Sequence, residues 1–79
     1  MKPQLTLFVR EYCHLCQQML GQLQAYQAKF LLNVVDIEDD DATEERYGQL
    51  IPVLMAGDEE ICHYHLNTQR LDAYLAKFS

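Results

Sequence analysis

A chain of 79 residues has room for one small domain, residues 1–79, and not for a second. Apolar residues make up 49% of it, which suits a compact core and excludes a disordered protein. Twelve acidic residues against six basic ones give a net charge of −6, which repels phosphate backbones and anionic membrane surfaces, so we expect neither nucleic acid nor a membrane as a partner.

The chain carries no sequence signal for membrane insertion or export. No stretch approaches the roughly 20 apolar residues needed to cross a bilayer, and the start at residues 1–3 lacks the apolar segment of a secretory signal. We therefore expect a cytoplasmic protein. Three cysteines is an odd number for a secreted disulfide scaffold, and under reducing conditions a closely spaced pair is more often catalytic or metal-binding than structural.

The first predicted elements are a short apolar strand over residues 4–10 and a helix over residues 13–29. In the helix, apolar positions recur at steps of three and four while glutamines fill the other face. An interior glycine, Gly21, costs about 1 kcal/mol relative to alanine and weakens the pattern. The apolar positions are Cys16, Met19, Leu20, Leu23, Tyr26 and Phe30.

The middle of the chain predicts a second strand and a short second helix. Residues 30–37 are apolar and β-branched with few polar interruptions, which predicts a strand buried on both faces and paired in parallel. Strand, helix and strand then form a right-handed βαβ unit. The acidic run at residues 38–41 begins a connection and favours a helix start, so we predict a helix over residues 42–47 that ends at Gly48 as its C-cap.

The last part of the chain predicts a hairpin and a closing helix. Residues 50–55 have the composition of a strand except for Pro52, which cannot donate to a ladder and belongs at an edge or a strand start. After a turn, residues 60–66 form the second arm of the hairpin. Asn67 or Thr68 caps the helix that follows. The order β-α-β-α-β-β-α predicts an α/β three-layer sandwich around a mixed four-stranded sheet.

Cys13 and Cys16 stand where the first strand gives way to the first helix. Positions three apart in a helix place their Cβ atoms about 5–6 Å apart, and a disulfide tolerates Cα separations of about 4.4–6.8 Å. Unpaired N–H groups at a helix start favour a thiolate at Cys13, while Cys16 lies one turn deeper on the inward face. We therefore predict a redox-active pair in which Cys13 attacks and Cys16 resolves.

Four short motifs carry a resemblance that covers nearly the whole chain. They are Glu11-Tyr12-Cys13-His14-Leu15-Cys16, Arg46-Tyr47-Gly48, Ile51-Pro52-Val53-Leu54 and Cys62-His63-Tyr64. The chain resembles the glutaredoxin branch of the thioredoxin fold, and more narrowly the small bacterial glutaredoxin-like proteins with a C-H-L-C active site. This implies a thiol-disulfide oxidoreductase with Cys13 and Cys16 as catalytic residues, no cofactor, and a part in cell redox homeostasis.

The resemblance also implies a substrate-binding platform. In the thioredoxin fold the proline before the third strand is cis and lies against the active-site disulfide, which implies a cis bond between Ile51 and Pro52. Such a bond presents the N–H and C=O of Ile51 to an extended peptide or to glutathione.

Three residues beside the cysteines are further candidates for substrate binding. Tyr12 either shields one side of the disulfide or stacks on a substrate, or it is a partly exposed loop aromatic. His14 either stabilises the Cys13 thiolate or is an exposed residue at the helix start. Leu15 offers an apolar surface that favours a protein substrate.

Two departures from glutathione-binding glutaredoxins bear on the partner. Those proteins usually have a proline and an aromatic residue between the cysteines, and a Gly-Gly followed by an acidic residue before the last helix, whereas residues 64–68 of this chain hold no glycine. The partner stays open between a protein disulfide and glutathione, with glutathione or a flavin-dependent reductase as recycling reductant. We expect a monomer. The cations available to replace the missing contacts are Lys2, Arg10 and Arg46.

The competing hypothesis is a redox-inactive binding module of the same fold that holds a metal ion or a protein partner. A closed zinc site needs four ligands, and the other candidates are Cys62, His63 and His65. Strand alternation instead predicts a buried, unreactive Cys62, with the two histidines on the opposite face. Asp36, His14 and water are candidate proton donors, and the acidic residues 36–45 predict a solvated connection rather than a docking patch.

Overall fold

The computed structural model describes residues 2–78. The strands are β1 (Gln4–Val9), β2 (Leu31–Asp36), β3 (Val53–Ala56) and β4 (Glu59–His63). The helices are α1 (His14–Leu23), α2 (Asp41–Tyr47) and α3 (Thr68–Leu75), with 3₁₀ turns at Gln24–Tyr26, Ile37–Asp39 and Ala76–Phe78. The predicted order of elements is confirmed. None of the helices in the described part of the chain has the length and apolarity to cross a bilayer.

The four strands form one mixed sheet in the order β2-β1-β3-β4. β1 is parallel to β2, with Val9 opposite Asp36, and antiparallel to β3, with Phe8 opposite Val53. β4 is antiparallel to β3, with His63 opposite Val53. The ends of β1, β2 and β4 and the start of β3 therefore meet at one end of the sheet, here called the Val9 end.

Helices cover both faces of this sheet. Leu5 and Leu7 of β1 belong to a buried core that includes residues of α1 and α3, whereas Phe8 points to the other face and stacks on Tyr47 of α2, with ring centroids 4.5 Å apart. The predicted three layers are thus α1 and α3, the sheet, and α2. The buried core cluster consists of Leu5, Leu7, Met19, Leu23, Phe30, Leu54, Ile61, Cys62 and Leu71.

Side-chain caps fix the starts of the last two helices. An Asp40 carboxylate oxygen accepts the N–H of Ala42 at 3.1 Å, and its other oxygen accepts the Thr43 hydroxyl at 2.9 Å. The Asn67 side-chain oxygen accepts the N–H of Arg70 at 3.1 Å. Each cap satisfies an N–H that would otherwise lack a helical partner, an effect of about 1 kcal/mol.

The first helix is shorter than the pattern predicts. α1 ends at Leu23 rather than near residue 29, and the chain continues as a 3₁₀ turn at Gln24–Tyr26. The N–H of Lys29 then donates to the Tyr26 carbonyl at 2.8 Å. Tighter hydrogen bonds of this kind satisfy the last carbonyls of a helix while the chain turns back, which here brings it to β2.

The prediction that residues 30–37 form a strand buried on both faces is wrong. β2 is an edge strand that pairs with β1 alone, and Leu31 and Val34 keep 57% and 46% of their surface exposed. Burial on both faces requires neighbouring elements above and below, and the position of a strand in its sheet is set by contacts far away in the chain.

The hairpin also departs from the prediction, because its strands are shorter than predicted at its open end. β3 starts at Val53 instead of residue 50, and β4 ends at His63 instead of residue 66. The register shifts between Leu54 and Met55, which leaves Ile61 without a direct partner, as in a β-bulge. Strict alternation would place Ile61 on the face opposite Cys62, but the bulge lets both residues enter the core.

Candidate active site

The cysteine pair lies at the Val9 end of the sheet, where α1 begins. Cys13 is the N-cap of α1, with an extended backbone (φ −98°, ψ 112°), and its carbonyl accepts the N–H of Gln17 at 3.1 Å. Cys16 follows one turn later, with its Cα 5.2 Å from that of Cys13, and the two sulfurs form a disulfide. The predicted position of the pair at a helix start is confirmed.

The two sulfurs have different surroundings. The Cys13 Sγ accepts a hydrogen bond from the main-chain N–H of Cys16 at 3.1 Å, and no acidic residue occupies the first turn of α1 to oppose a negative charge there. Cys16 is buried, with 2% of its surface exposed, whereas Cys13 is half-buried. A reagent from solvent therefore reaches Cys13 more readily, and the helix start favours a negative charge on its sulfur.

The three predicted substrate-binding residues around the pair differ in exposure. Tyr12 is 92% exposed and has a left-handed backbone (φ 61°). The His14 side chain is exposed and makes no hydrogen bond or ion pair within residues 2–78, and Leu15 is half-buried. All three adjoin the disulfide, and their roles in binding stay predictions.

The segment just before β3, which contains Pro52, lies at the same end of the sheet as the cysteine pair. Because Phe8 is opposite Val53, the residues just before β3 lie level with those just after β1. The bond between Ile51 and Pro52 is cis, as the resemblance implies, and Pro52 is buried. The N–H and C=O of Ile51 have no hydrogen-bond partner within the described residues 2–78.

The sequence places Tyr64 in a family motif but predicts no role for it; in the structure it lies at the same end of the sheet, just after β4. Its N–H donates to the Pro52 carbonyl at 2.9 Å, and its hydroxyl donates to the Gln49 carbonyl at 2.8 Å. Its φ of 64° is in the left-handed region. Tyrosine rarely adopts that conformation, so the residue type gave no signal for this position.

The candidate metal ligands do not converge in the structure. Cys62 is a free, buried thiol in the core, as predicted; burial raises its pKa, with the Asn67 N–H and Arg70 acting against that shift. His63 instead pairs with Glu60, at 2.9 Å between Nδ1 and Oε2. Within residues 2–78, no three His, Cys, Asp or Glu side chains are grouped so that they could hold a metal ion.

The three candidate cations have different partners and positions. Arg10 follows β1 and so lies at the Val9 end, where its Nε is 3.8 Å from the Glu38 carboxylate. Arg46 lies over the Tyr47 ring, 5.3 Å from its centroid. Lys2 precedes β1 and therefore lies towards the other end of the sheet. Arg10 thus lies at the same end of the sheet as the cysteine pair, and Lys2 does not.

The acidic connection has local structural roles. Asp36, a candidate proton donor, accepts the N–H of Glu38 at 2.9 Å and caps the 3₁₀ turn that follows β2. Asp40 caps α2 in the same way. Most other carboxylates between residues 36 and 45 are exposed. Asp36 makes no hydrogen bond to either cysteine sulfur within residues 2–78.

Two solved structures are similar to this chain in sequence and in fold. Protein Ne2328 from Nitrosomonas europaea, solved by NMR, is 36% identical, with a TM-score of 0.84 over 94% of this chain and 92% of its own. The X-ray structure of XcR50 from X. campestris is also 36% identical, with a TM-score of 0.74 over 92% of this chain and 96% of its own.

A more distant match shows the fold alone. Thioredoxin 1 from Thermosipho africanus TCF52B is 17% identical, with a TM-score of 0.60 over 95% of this chain and 97% of its own. The fold is thus thioredoxin-like, and in such a fold a Cys-x-x-Cys pair is consistent with a redox function. Because the model of the glutaredoxin-like domain (DUF836) matches residues 4–76, this chain belongs to that glutaredoxin-like family.

Proposed function

We propose that this protein is a thiol-disulfide oxidoreductase that works through the dithiol pair Cys13 and Cys16. The observation that carries the proposal is the disulfide between these residues at the start of α1, with the Cys13 Sγ accepting the N–H of Cys16. A disulfide with only a structural role does not require its two sulfurs to differ in their surroundings. Here one sulfur is half-buried at a helix start and the other is buried one turn deeper, which suits an attacking and a resolving thiol.

The first step is attack on a substrate disulfide by the reduced protein. The Cys13 thiolate forms a bond to one substrate sulfur, and the other substrate sulfur leaves as a thiolate that takes up a proton. The product is a mixed disulfide between Cys13 and the substrate. The N–H donors at the start of α1 stabilise the attacking thiolate before the step.

The second step releases the substrate. Cys16 loses its proton and attacks the Cys13 sulfur, so the internal disulfide forms again and the substrate leaves as a second thiol. Two electrons have then passed from the cysteine pair to the substrate. A thiol or dithiol reductant, such as glutathione or a dithiol carried by a flavin-dependent reductase, returns two electrons and two protons to the pair.

The substrate class that we propose is a disulfide in an extended peptide segment. The N–H and C=O of Ile51 have no partner among residues 2–78, so they offer one donor and one acceptor to a peptide main chain. Tyr12, which precedes Cys13 in the chain and is 92% exposed, offers an aromatic surface, and Leu15 adds an apolar one. These groups suit a peptide better than they suit a small charged thiol.

The test is reduction of insulin disulfides with a chemical reductant supplied, comparing the wild type with Cys13→Ser and with Cys62→Ala. The third cysteine is a matched control because it is buried in the core and forms no disulfide. We expect Cys13→Ser to lose the activity and Cys62→Ala to keep it. An inactive wild type, or full activity in Cys13→Ser, rejects the proposal; stoichiometric zinc in the purified protein would then favour a binding module.

A further inference from the structure

Tyr64 connects β4 to the segment that carries Pro52. Its N–H donates to the Pro52 carbonyl at 2.9 Å, and its phenol hydroxyl donates to the Gln49 carbonyl at 2.8 Å, fifteen positions away in the chain. The Tyr64 ring also packs edge-on against the His63 ring, with centroids 4.7 Å apart. One residue thus holds both ends of residues 49–52 through main-chain carbonyls.

The backbone of Tyr64 is in a costly conformation. Its φ is 64°, and the N–H of His65 donates to the carbonyl of His63 at 2.7 Å, which closes a three-residue turn around it. Such γ-turns with positive φ are rare and strained, and glycine would adopt this φ without the cost. Strained non-glycine residues concentrate at functional sites, where neighbouring bonds hold them.

The segment held by Tyr64 contains Ile51, whose main-chain N–H and C=O are available to a substrate. Leu50 is fixed on its N-terminal side by the bond from its N–H to the Tyr47 carbonyl, at 2.8 Å. Ile51, between the two carbonyls that Tyr64 binds, has neither of its main-chain polar groups paired within residues 2–78. Fixing the flanking carbonyls leaves the Ile51 groups free yet restricts their direction, which lowers the ordering cost of binding a peptide.

We propose that Tyr64 is a positioning residue for peptide substrates: its hydroxyl holds the Gln49 carbonyl so that the Ile51 N–H and C=O are presented in a fixed direction beside the disulfide. This inference rests on the proposed oxidoreductase function. It assigns Tyr64 no contact with the reacting sulfurs, so its removal affects peptide binding and leaves the chemistry of Cys13 unchanged.

The first test compares Tyr64→Phe with Tyr74→Phe in single-turnover reduction of two substrates by the pre-reduced protein. Tyr74 is a matched control because its hydroxyl makes no hydrogen bond within residues 2–78. For a self-quenched fluorescent peptide disulfide, we expect Tyr64→Phe to raise the half-saturating concentration about two- to tenfold, the factor that one net hydrogen bond gives, without changing the saturating rate. For hydroxyethyl disulfide, which has no peptide main chain, we expect no change.

Equal effects on both substrates, a loss confined to the saturating rate, or no effect at all would overturn the inference. A second measurement does not depend on activity: ¹⁵N relaxation of the Ile51 amide. Its order parameter should fall from about 0.85 towards 0.6 in Tyr64→Phe and stay unchanged in Tyr74→Phe. If the wild type reduces neither substrate, the proposed function fails, and an Ile51 amide that stays rigid in Tyr64→Phe then rejects the positioning role independently.

Discussion

The side-chain sulfur of Cys13 accepts a hydrogen bond from the main-chain N–H of Cys16, 3.1 Å away. In the reduced protein this donor and the other free N–H groups of the helix start favour a thiolate on Cys13. We therefore expect one equivalent of iodoacetamide at neutral pH to label Cys13 before Cys16 and Cys62. Mass spectrometry of the digested, reduced protein gives the order.

Labelling of Cys16 ahead of Cys13 would contradict this assignment of attacking and resolving thiols. Cys62 serves as an internal reference because it is buried and because burial raises its pKa. Labelling after unfolding in denaturant should remove the differences among the three thiols, since all of them then have similar surroundings.

The raised pKa of Cys62 predicts a pH dependence of stability. Its ordinary value is 9.0, and burial raises it in the folded state, so the native protein holds this proton more tightly than the unfolded chain does. The resulting stabilisation is complete below pH 9 and is lost as the pH rises through the folded-state pKa. We expect the free energy of unfolding of the oxidised wild type to fall more steeply above about pH 9 than that of Cys62→Ala.

Urea titrations of both proteins at a series of pH values measure this difference. The two proteins differ only at position 62, so the comparison isolates the Cys62 thiol. Parallel dependences on pH would contradict the prediction.

Replacing either of two glycines by alanine should change the stability of the protein, and in opposite directions. In α1, a Cβ on Gly21 would meet nothing in residues 2–78 within 4 Å beyond its own stretch of helix, so Gly21→Ala should stabilise the protein by about 0.5–1 kcal/mol. A Cβ on Gly48 would collide with the Glu44 carbonyl oxygen, which already accepts the Gly48 N–H at 2.8 Å. Gly48→Ala should therefore cost about 1–3 kcal/mol.

Thermal unfolding measures both substitutions, since 1 kcal/mol shifts the Tm of a domain of this size by about 4–8 °C. Each variant controls for the other. Shifts of the same sign would contradict the distinction drawn between an open helix surface and a closed helix end.

Features set by neighbours in the chain were predictable from the sequence. Asp40 and Asn67 cap helices through bonds to residues two and three positions away, and the spacing of Cys13 and Cys16 fixes whether their sulfurs can meet. The cis bond before Pro52 was predicted from the family resemblance. A proline in a strand-like run indicates by itself only an edge strand or the start of a strand.

Features set by distant contacts were not predictable in the same way. The exposure of Leu31 and Val34 follows from the position of β2 at the edge of the sheet, which its own composition does not encode. Tyr64 bonds to Gln49 and Pro52 across the fold, in a backbone conformation that disfavours tyrosine. Residue type argued against that role, and only the assembled sheet places these residues together.

Substitutions of Tyr12 should affect the stability of the protein and its activity in different ways. Its ring is 92% exposed and adds little to folding, while its φ of 61° is unfavourable for any residue with a Cβ. Tyr12→Gly relieves about 1–2 kcal/mol of this cost but adds about 0.4–1 kcal/mol of unfolded-state entropy. Relief is the larger effect, so the free energy of unfolding should rise modestly, by less than about 1.5 kcal/mol.

Tyr12→Ala is the matched control because it removes the ring but keeps the Cβ and therefore the left-handed cost. Its stability should stay close to that of the wild type. If the ring contacts the substrate, both variants should raise the KM for a peptide disulfide by about three- to tenfold, the effect of one aromatic contact. Urea unfolding and peptide-disulfide kinetics on the three proteins separate the two effects. An unchanged KM in Tyr12→Ala would remove Tyr12 from the substrate site, whereas equal stabilities of the glycine and alanine variants would show that the left-handed backbone carries no net cost.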